Sequence, residues 1–252
     1  MLIELDTVTS TQQEAKARAQ EGCAHGVVVV AAHQSAGRGR RGRTWLSGPH
    51  GLWMSMVLRL DLPPSCAPRL PLSACALVAE VLQAAGTAIS VKWPNDLMVP
   101  STTTHPTLGP FKKAGGLLIE AVDVDARGLH TAVVGLGLNL TTPALGFGPA
   151  LEKTAGTLEE GGFDVDGCSR LGLAARLQRA LMEVASSTSD DAFAGVCARL
   201  ALISATLGRR VCIDGDAQVS GMAVGFGDDG ALQIMDDAGQ LQTVRAGDVM
   251  LA

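Results

Sequence analysis

The chain has 252 residues, 47% of them hydrophobic and 18% charged, so it can bury a core and is too apolar to be a disordered segment. Its formal net charge of -5 argues against an extended nucleic-acid-binding face, which needs a basic surface. No stretch reaches the ~18 apolar residues of a membrane span, residues 1–9 carry Glu4 and Asp6 and make no signal peptide, and Cys23, Cys66, Cys75, Cys168, Cys197 and Cys212 show neither zinc spacing nor a disulfide framework, so a reduced, cytoplasmic location is expected.

Ser10 and Thr11 precede Gln13 and Glu14, and Gly22 closes the run, which predicts a helix with a capping-box start and a glycine stop. Residues 27–32, with four valines, read as a buried strand. A second strand is expected over 51–60, ended by the turn-forming 61–64. Residues 70–85 are helical in pattern and stop at Gly86, and 89–93 make a short strand ended by Pro94-Asn95-Asp96. Residues 100–110, rich in Thr, Pro and Gly, read as a surface loop, and the segment from Ser101 to Phe111 is longer than a tight strand connection requires. Residues 117–124 and 130–138 are expected to pair as a hairpin across 125–128. Two helices follow at 169–186 and 190–205, the first with Ser169 as N-cap.

After Leu207 the texture changes to five short segments, 210–214, 218–226, 231–235, 241–244 and 248–251, separated by glycine-containing turns. Strands at that spacing predict a small barrel. A boundary near Gly208 divides a larger domain, 1–206, from a smaller one, 207–252. Adjacent strands mixed with helices make the larger domain α+β rather than strictly alternating.

The chemistry is expected under Gly37-Arg38-Gly39-Arg40-Arg41-Gly42-Arg43-Thr44-Trp45. Arginine stays charged at any working pH and presents a planar fork to carboxylate or phosphate. Glycines let backbone N–H groups approach the same anion. The glycines formally match a dinucleotide fingerprint, but that motif must open a helix, and Ser47-Gly48-Pro49-His50-Gly51 follows instead. Lys92-Trp93-Pro94-Asn95-Asp96 ends a strand and offers stacking, hydrogen-bonding and cationic groups; alone it is an ordinary turn. Lys113, beside Gly115 and Gly116 at the mouth of a strand, can reach an anion over the sheet or simply snorkel to solvent. Gly135 and Gly137 suggest close approach of a ligand or of packing side chains. No nucleophile elbow, catalytic triad or kinase motif is present.

Taken in order, Ser10-Thr11-Gln12, the block from Gln34 to Trp45, Lys92-Trp93-Pro94-Asn95-Asp96, Lys113-Ala114-Gly115-Gly116-Leu117-Leu118 and Gly135-Leu136-Gly137-Leu138-Asn139 resemble the biotin protein ligases. The resemblance runs to the end of the chain. It implies a class-II-synthetase-like mixed β-sheet with flanking helices, followed by a small SH3-like β-barrel. It implies formation of biotinyl-5′-AMP from biotin and ATP, with Mg²⁺ accompanying the nucleotide, and transfer of biotin to a lysine of a carboxylase carrier domain. Arg38 and Lys113 are assigned to the catalytic role, near the carboxylate and phosphate. Ser10, Thr11, Gln12 and Gln34 would bind biotin, with the backbone of Gly37, Arg38, Gly39 and Arg40. Gly115 and Gly116 would leave room for the biotin rings beside Lys113. Arg40, Arg43 and Trp45 would lie around the adenylate with Lys92, Asn95, Asp96 and Asn139; no metal ligands are assigned.

The arginine-glycine loop is expected to be disordered when empty and to close over the adenylate, keeping water from a reactive anhydride. Because the Ser10-Thr11 motif starts at once, the form without an N-terminal DNA-binding domain is implied, with no nucleic-acid or membrane partner; a homodimer through sheet edges is a further implication. A lipoate–protein ligase shares the fold and the adenylation chemistry; the polar Ser10-Thr11-Gln12 and Gln34 set favours biotin.

Overall fold

The computed structural model describes residues 1–214 and 219–251; Gln218, the first residue of a predicted strand, lies outside them. The first sheet is built from β1 (Leu2–Val8), β2 (Val28–Gln34), β3 (Gly51–Leu62), β4 (Ser90–Lys92), β5 (Asp96–His105), β6 (Gly109–Asp125) and β7 (Gly128–Asn139). Their spatial order is β1-β2-β3-β7-β6-β5-β4. The β1–β2 pair is parallel and the remaining pairs are antiparallel, giving the expected mixed sheet.

Burial explains why the central strands are apolar on both faces. Side chains alternate across a strand. Val28 and Val30 of β2, Met56 and Leu58 of β3, and Ala132 and Val134 of β7 join the main core. Val29, Val57 and Val133 face the other way and meet Ala15 and Ala19 of helix α1 (Thr11–Gln20). The main core is completed by α2 (Leu70–Ala84), α3 (Arg170–Leu181) and α4 (Asp190–Leu202).

Several local expectations change. The N-terminal residues form β1, whose pairing with β2 supplies the parallel edge. The capping box does not form: Ser10 is extended, with no side-chain capping bond, and Glu14 pairs with Arg18 at 2.8 Å. The glycine stop does form, with Gly22 at φ +83° and Cys23 N–H donating to Arg18 O at 3.0 Å. Ser169 caps α3, its Oγ accepting from Gly172 N–H at 3.1 Å, but the helix ends at Leu181. The expected surface loop at 100–110 is a β-hairpin arm instead. There β5 and β6 pair through Pro100↔Phe111 and His105↔Gly109.

The second sheet comprises β8 (Arg210–Asp214), β9 (Val219–Phe226), β10 (Leu232–Met235), β11 (Leu241–Val244) and β12 (Asp248–Leu251). All its pairs are antiparallel, in the order β11-β10-β9-β8-β12. Its inner residues, among them Val211, Ile213, Leu232 and Ile234, belong to the same apolar cluster as Leu70 and Phe193.

Two side chains clamp the sheets together. Trp93 Nε1 donates to Gly230 O at 2.9 Å. Arg69, 7% exposed, lies over the Phe193 ring and donates to Asp228 O at 2.6 Å, Thr188 O at 2.8 Å and Asp190 Oδ1 at 2.7 Å. The hairpin arm adds a third tie, since Leu251 N–H donates to Thr107 O at 3.0 Å and Arg209 stacks on Phe111.

Arg69→Ala should cost about 3 kcal/mol of unfolding free energy, because it leaves buried carbonyls without donors. Asp190→Ala, at a carboxylate 89% exposed, should cost less than about 1 kcal/mol. Urea titration of the two variants checks the contrast.

Candidate active site

The α1 face of the sheet is left open beyond the N-terminus of that helix, and a cavity of about 480 Å³ occupies the space. Its floor is the sheet, where Gly135 and Gly137 of β7 carry no side chains. A Cβ on Gly135 would collide with Gln12 Oε1, and one on Gly137 would sit 2.9 Å from Trp45 Nε1. The arginine-glycine loop and the start of β12 form the rim, and Thr107 and Leu108 of the hairpin arm also border it.

All the residues assigned to the site from the resemblance line this one cavity, with two exceptions. Gly37 packs against the returning arm of its own loop, its carbonyl accepting from Trp45 N–H at 2.9 Å. Gly115 faces the core, where a Cβ would lie 2.6 Å from Leu138 Cδ2 and 3.3 Å from Leu97 Cδ1. Alternation along β6 leaves Gly116 on the cavity side.

One end of the cavity is neutral and hydrogen-bonding. Thr11 N–H donates to Gln34 Oε1 at 2.8 Å, and Gln34 Nε2 donates to Ser47 Oγ at 2.8 Å. Gln12, expected to reach a ligand, is engaged by the protein: Nε2 donates to Val133 O at 3.1 Å and Oε1 accepts from Ser55 Oγ at 3.1 Å. Ser10 Oγ is buried and has no partner.

The other end is charged. Lys113 Nζ lies 2.6 Å from Asp96 Oδ1 and 5.0 Å from the centre of the Trp45 ring. Lys92 Nζ approaches Asp96 Oδ2 at 3.8 Å. Burial raises the Asp96 carboxyl, but Lys113 and Lys92, helped by Arg40, outweigh it and hold the group below the usual carboxylate range. Burial in turn pulls Lys92 down from the usual ammonium value, against the pull of Asp96. Arg40 Nη1 donates to Asn95 Oδ1 at 2.7 Å, and Asn95 Nδ2 donates to Leu117 O at 2.5 Å. Asn139 Nδ2 donates to Gly156 O at 3.0 Å, tying β7 to the chain that follows. Trp45 Nε1 is buried without a partner.

The loop expected to be disordered is held down at its far side. Arg43 and Arg41 both pair with Asp248 of β12, and Gly39 N–H donates to Arg43 O at 2.8 Å. Arg38 is exposed and makes no ion pair among the described residues. The fixed cations Arg38, Arg40, Arg43, Lys92 and Lys113 outnumber the lining carboxylates Asp96, Asp214 and Asp248. The arrangement can therefore hold a molecule with a neutral polar head and an anionic tail, with a second anion beside the tail.

Sequence reasoning missed Ser55, Asp248 and the apolar rim residues Phe147 and Leu151. Ser55 was detectable, being the lone polar residue within Leu52 to Leu58. Asp248 carried no local signal, because its partners lie about 200 residues away: Arg43 is separated from it by 205 positions.

A carboxyl held below its unfolded value stabilises the fold when ionised. That contribution is complete above about pH 4, the ordinary carboxylate value, and is lost as pH falls through the lower folded value. The gap in unfolding free energy between the protein and Asp96→Asn should therefore be constant from neutral pH down to about pH 5 and narrow below about pH 4. Urea unfolding across that range measures it.

Two family models match the chain: the biotin/lipoate A/B protein ligase family over residues 4–139 and the biotin protein ligase C terminal domain over residues 206–251. The bifunctional ligase/repressor BirA of Bacillus spizizenii is 35% identical over 161 residues, 63% of this chain and 46% of that protein. The biotin--[acetyl-CoA-carboxylase] ligase of Mycobacterium tuberculosis is 31% identical over 259 residues, covering 98% of this chain and 88% of that protein. The structure of the biotin protein ligase from Aquifex aeolicus in complex with biotin and ATP superposes with a TM-score of 0.80 at 27% identity, over 100% of this chain and 98% of that one. The chain spans about half the length of the first curated relatives it matches, the matched share being 46%. On the sequence blocks, the shared fold and the two matched models, the chain belongs to the biotin/lipoate A/B protein ligase family.

Proposed function

We propose that this chain activates biotin with ATP to biotinyl-5′-AMP and transfers the biotinyl group to a lysine on a biotin carboxyl-carrier domain of a carboxylase. The observation that carries the reading is the single cavity with a neutral hydrogen-bonding end at Ser10, Thr11 and Gln34 and a cationic end at Arg38, Lys92 and Lys113. The biotin head is a ureido group, which needs both donors and acceptors. Its tail ends in a carboxylate that must be brought against a phosphate of like charge. The named relatives and the structure bound to biotin and ATP support the same choice.

In the first step a carboxylate oxygen attacks the α-phosphorus, and the bond to the bridging oxygen breaks, releasing diphosphate. Fixed cations lower the repulsion between the two anions and hold them in line. Lys113 suits this role because Asp96 and the Trp45 ring fix its ammonium on two sides. Arg38 suits it because its guanidinium makes no competing ion pair among the described residues. In the second step the carrier lysine attacks the acyl carbonyl, the C–O bond breaks and AMP leaves. No enzyme nucleophile is required.

Arg40, Arg43, Trp45, Lys92, Asn95, Asp96 and Asn139 are assigned to the nucleotide end, within a catalytic domain of residues 1–206, with residues 207–252 as the smaller domain. Mg²⁺ would accompany the nucleotide and offset part of the phosphate charge. Among the described residues no three His, Cys, Asp or Glu side chains converge, and Asp96 is engaged by two ammonium groups, so no protein ligand set is assigned. A homodimer would pair two copies through the outer edge of residues 118–125 of β6, which faces no strand among the described residues. Sedimentation velocity tests the pairing. No helix among the described residues is long and apolar enough to cross a membrane.

ATP–diphosphate exchange should depend on biotin, and Arg38→Ala and Lys113→Ala should each lower it by about 100-fold or more. Exchange driven by lipoate and not by biotin, or undiminished in both variants, overturns the assignment.

A further inference from the structure

We propose that Ser55 fixes the direction of the hydrogen bonds at the neutral end of the cavity, so that Thr11 presents only lone pairs to the ligand and selects a ureido N–H. The inference rests on the reading of that end as a biotin site. Ser55 acts through Thr11 and is a positioning residue.

Ser55 sits in the middle of β3, fully buried, beneath the N-terminus of α1. Its hydroxyl has one proton and two neighbours, Gln12 Oε1 at 3.1 Å and Thr11 Oγ1 at 2.9 Å. Gln12 decides which neighbour receives that proton. Its Nε2 donates to Val133 O at 3.1 Å and lies 3.5 Å from Leu118 O, and carbonyls accept only. The amide is thereby locked with Oε1 toward Ser55. The Ser55 proton goes to that oxygen, and Ser55 faces Thr11 with a lone pair. Gly135 keeps this orientation open, since a Cβ there would collide with Gln12 Oε1.

Thr11 also has a single hydroxyl proton. The competing acceptor, Gln34 Oε1 at 3.1 Å, is already supplied by Thr11 N–H at 2.8 Å. The closer, unsupplied acceptor is Ser55 Oγ, so the Thr11 proton points into the protein. What remains toward the cavity is acceptor density, which matches an N–H and mismatches a carbonyl. Beside it, Ser10 Oγ is buried without a partner and keeps its own proton to give. The two hydroxyls thus divide the work: Thr11 accepts from the ureido N–H and Ser10 is free to donate to the ureido carbonyl. The chain Thr11→Ser55→Gln12→Val133 O is a polarised relay whose sense is set by a backbone carbonyl, not by the ligand.

The test is a double-mutant cycle read by isothermal titration of biotin and, separately, of ATP on the full chain. Ser55→Cys keeps the volume but supplies only a weak donor and acceptor. It should weaken biotin binding about ten-fold and leave ATP affinity unchanged. Thr11→Val should weaken biotin at least as much, and the double variant should be no weaker than Thr11→Val alone. Ser55→Ala should reproduce Ser55→Cys and guards against misfitting of the sulfur. Unchanged biotin affinity in both Ser55 variants, an equal loss of biotin and ATP, or multiplicative effects in the double variant would overturn the relay. Failure of the parent protein to bind biotin is a separate result, which removes the proposed function and the relay with it.

Discussion

The site depends on Asp96. Five cations line one cavity with few carboxylates to offset them, and such a cluster repels itself whenever no anion is bound. Asp96 stands at the start of β5, opposite Lys92 across one strand pair and close to Lys113 across the other. One carboxylate thus restrains two ammonium groups, at 2.6 and 3.8 Å. The Trp45 ring fixes Lys113 from the other side without adding a negative charge. The result is positive charge that is positioned in advance and only partly neutralised, which suits binding of successive anions.

The sheet explains why these groups meet. β3 and β7 are apolar on both faces because helices cover one side and α1 covers part of the other. Beyond α1 the same face loses its cover, and there the large side chains give way to Ser55, Gly135 and Gly137. The backbone continues straight through this change of composition. The cavity is therefore a gap in the packing, roofed by the arginine-glycine loop.

The main elements were legible because burial writes itself into composition. The valine run of β2 and the glycine stops at Gly22 and Gly86 follow from local physics. The hairpin arm was not legible, since Pro100, Ser101 and three threonines carry no apolar alternation and pair only because β6 runs alongside. The capping box at Ser10 misled for a related reason: the hydroxyl is left uncapped and buried at the cavity wall, a choice that tertiary context makes. Fifteen of the site residues could be grouped by motif, but Gly37 and Gly115 could not be told from their neighbours without knowing which way each strand faces. Gln12 and Ser55 show the same limit at atomic scale, because hydrogen-bond direction depends on partners more than 40 positions away.

The rim of the cavity belongs to two sheets at once. Asp248 to Met250 come from β12, Thr107 and Leu108 from the arm that β12 grips through Leu251, and the floor from β3 and β7. An occupant thus works as an adhesive: it touches both halves of the molecule and is lost when they part. By mass action its binding energy is added to their cohesion, about 2.7 kcal/mol at a hundred-fold excess over the dissociation constant. Melting of the small C-terminal sheet consequently senses what occupies a cavity whose floor it does not build.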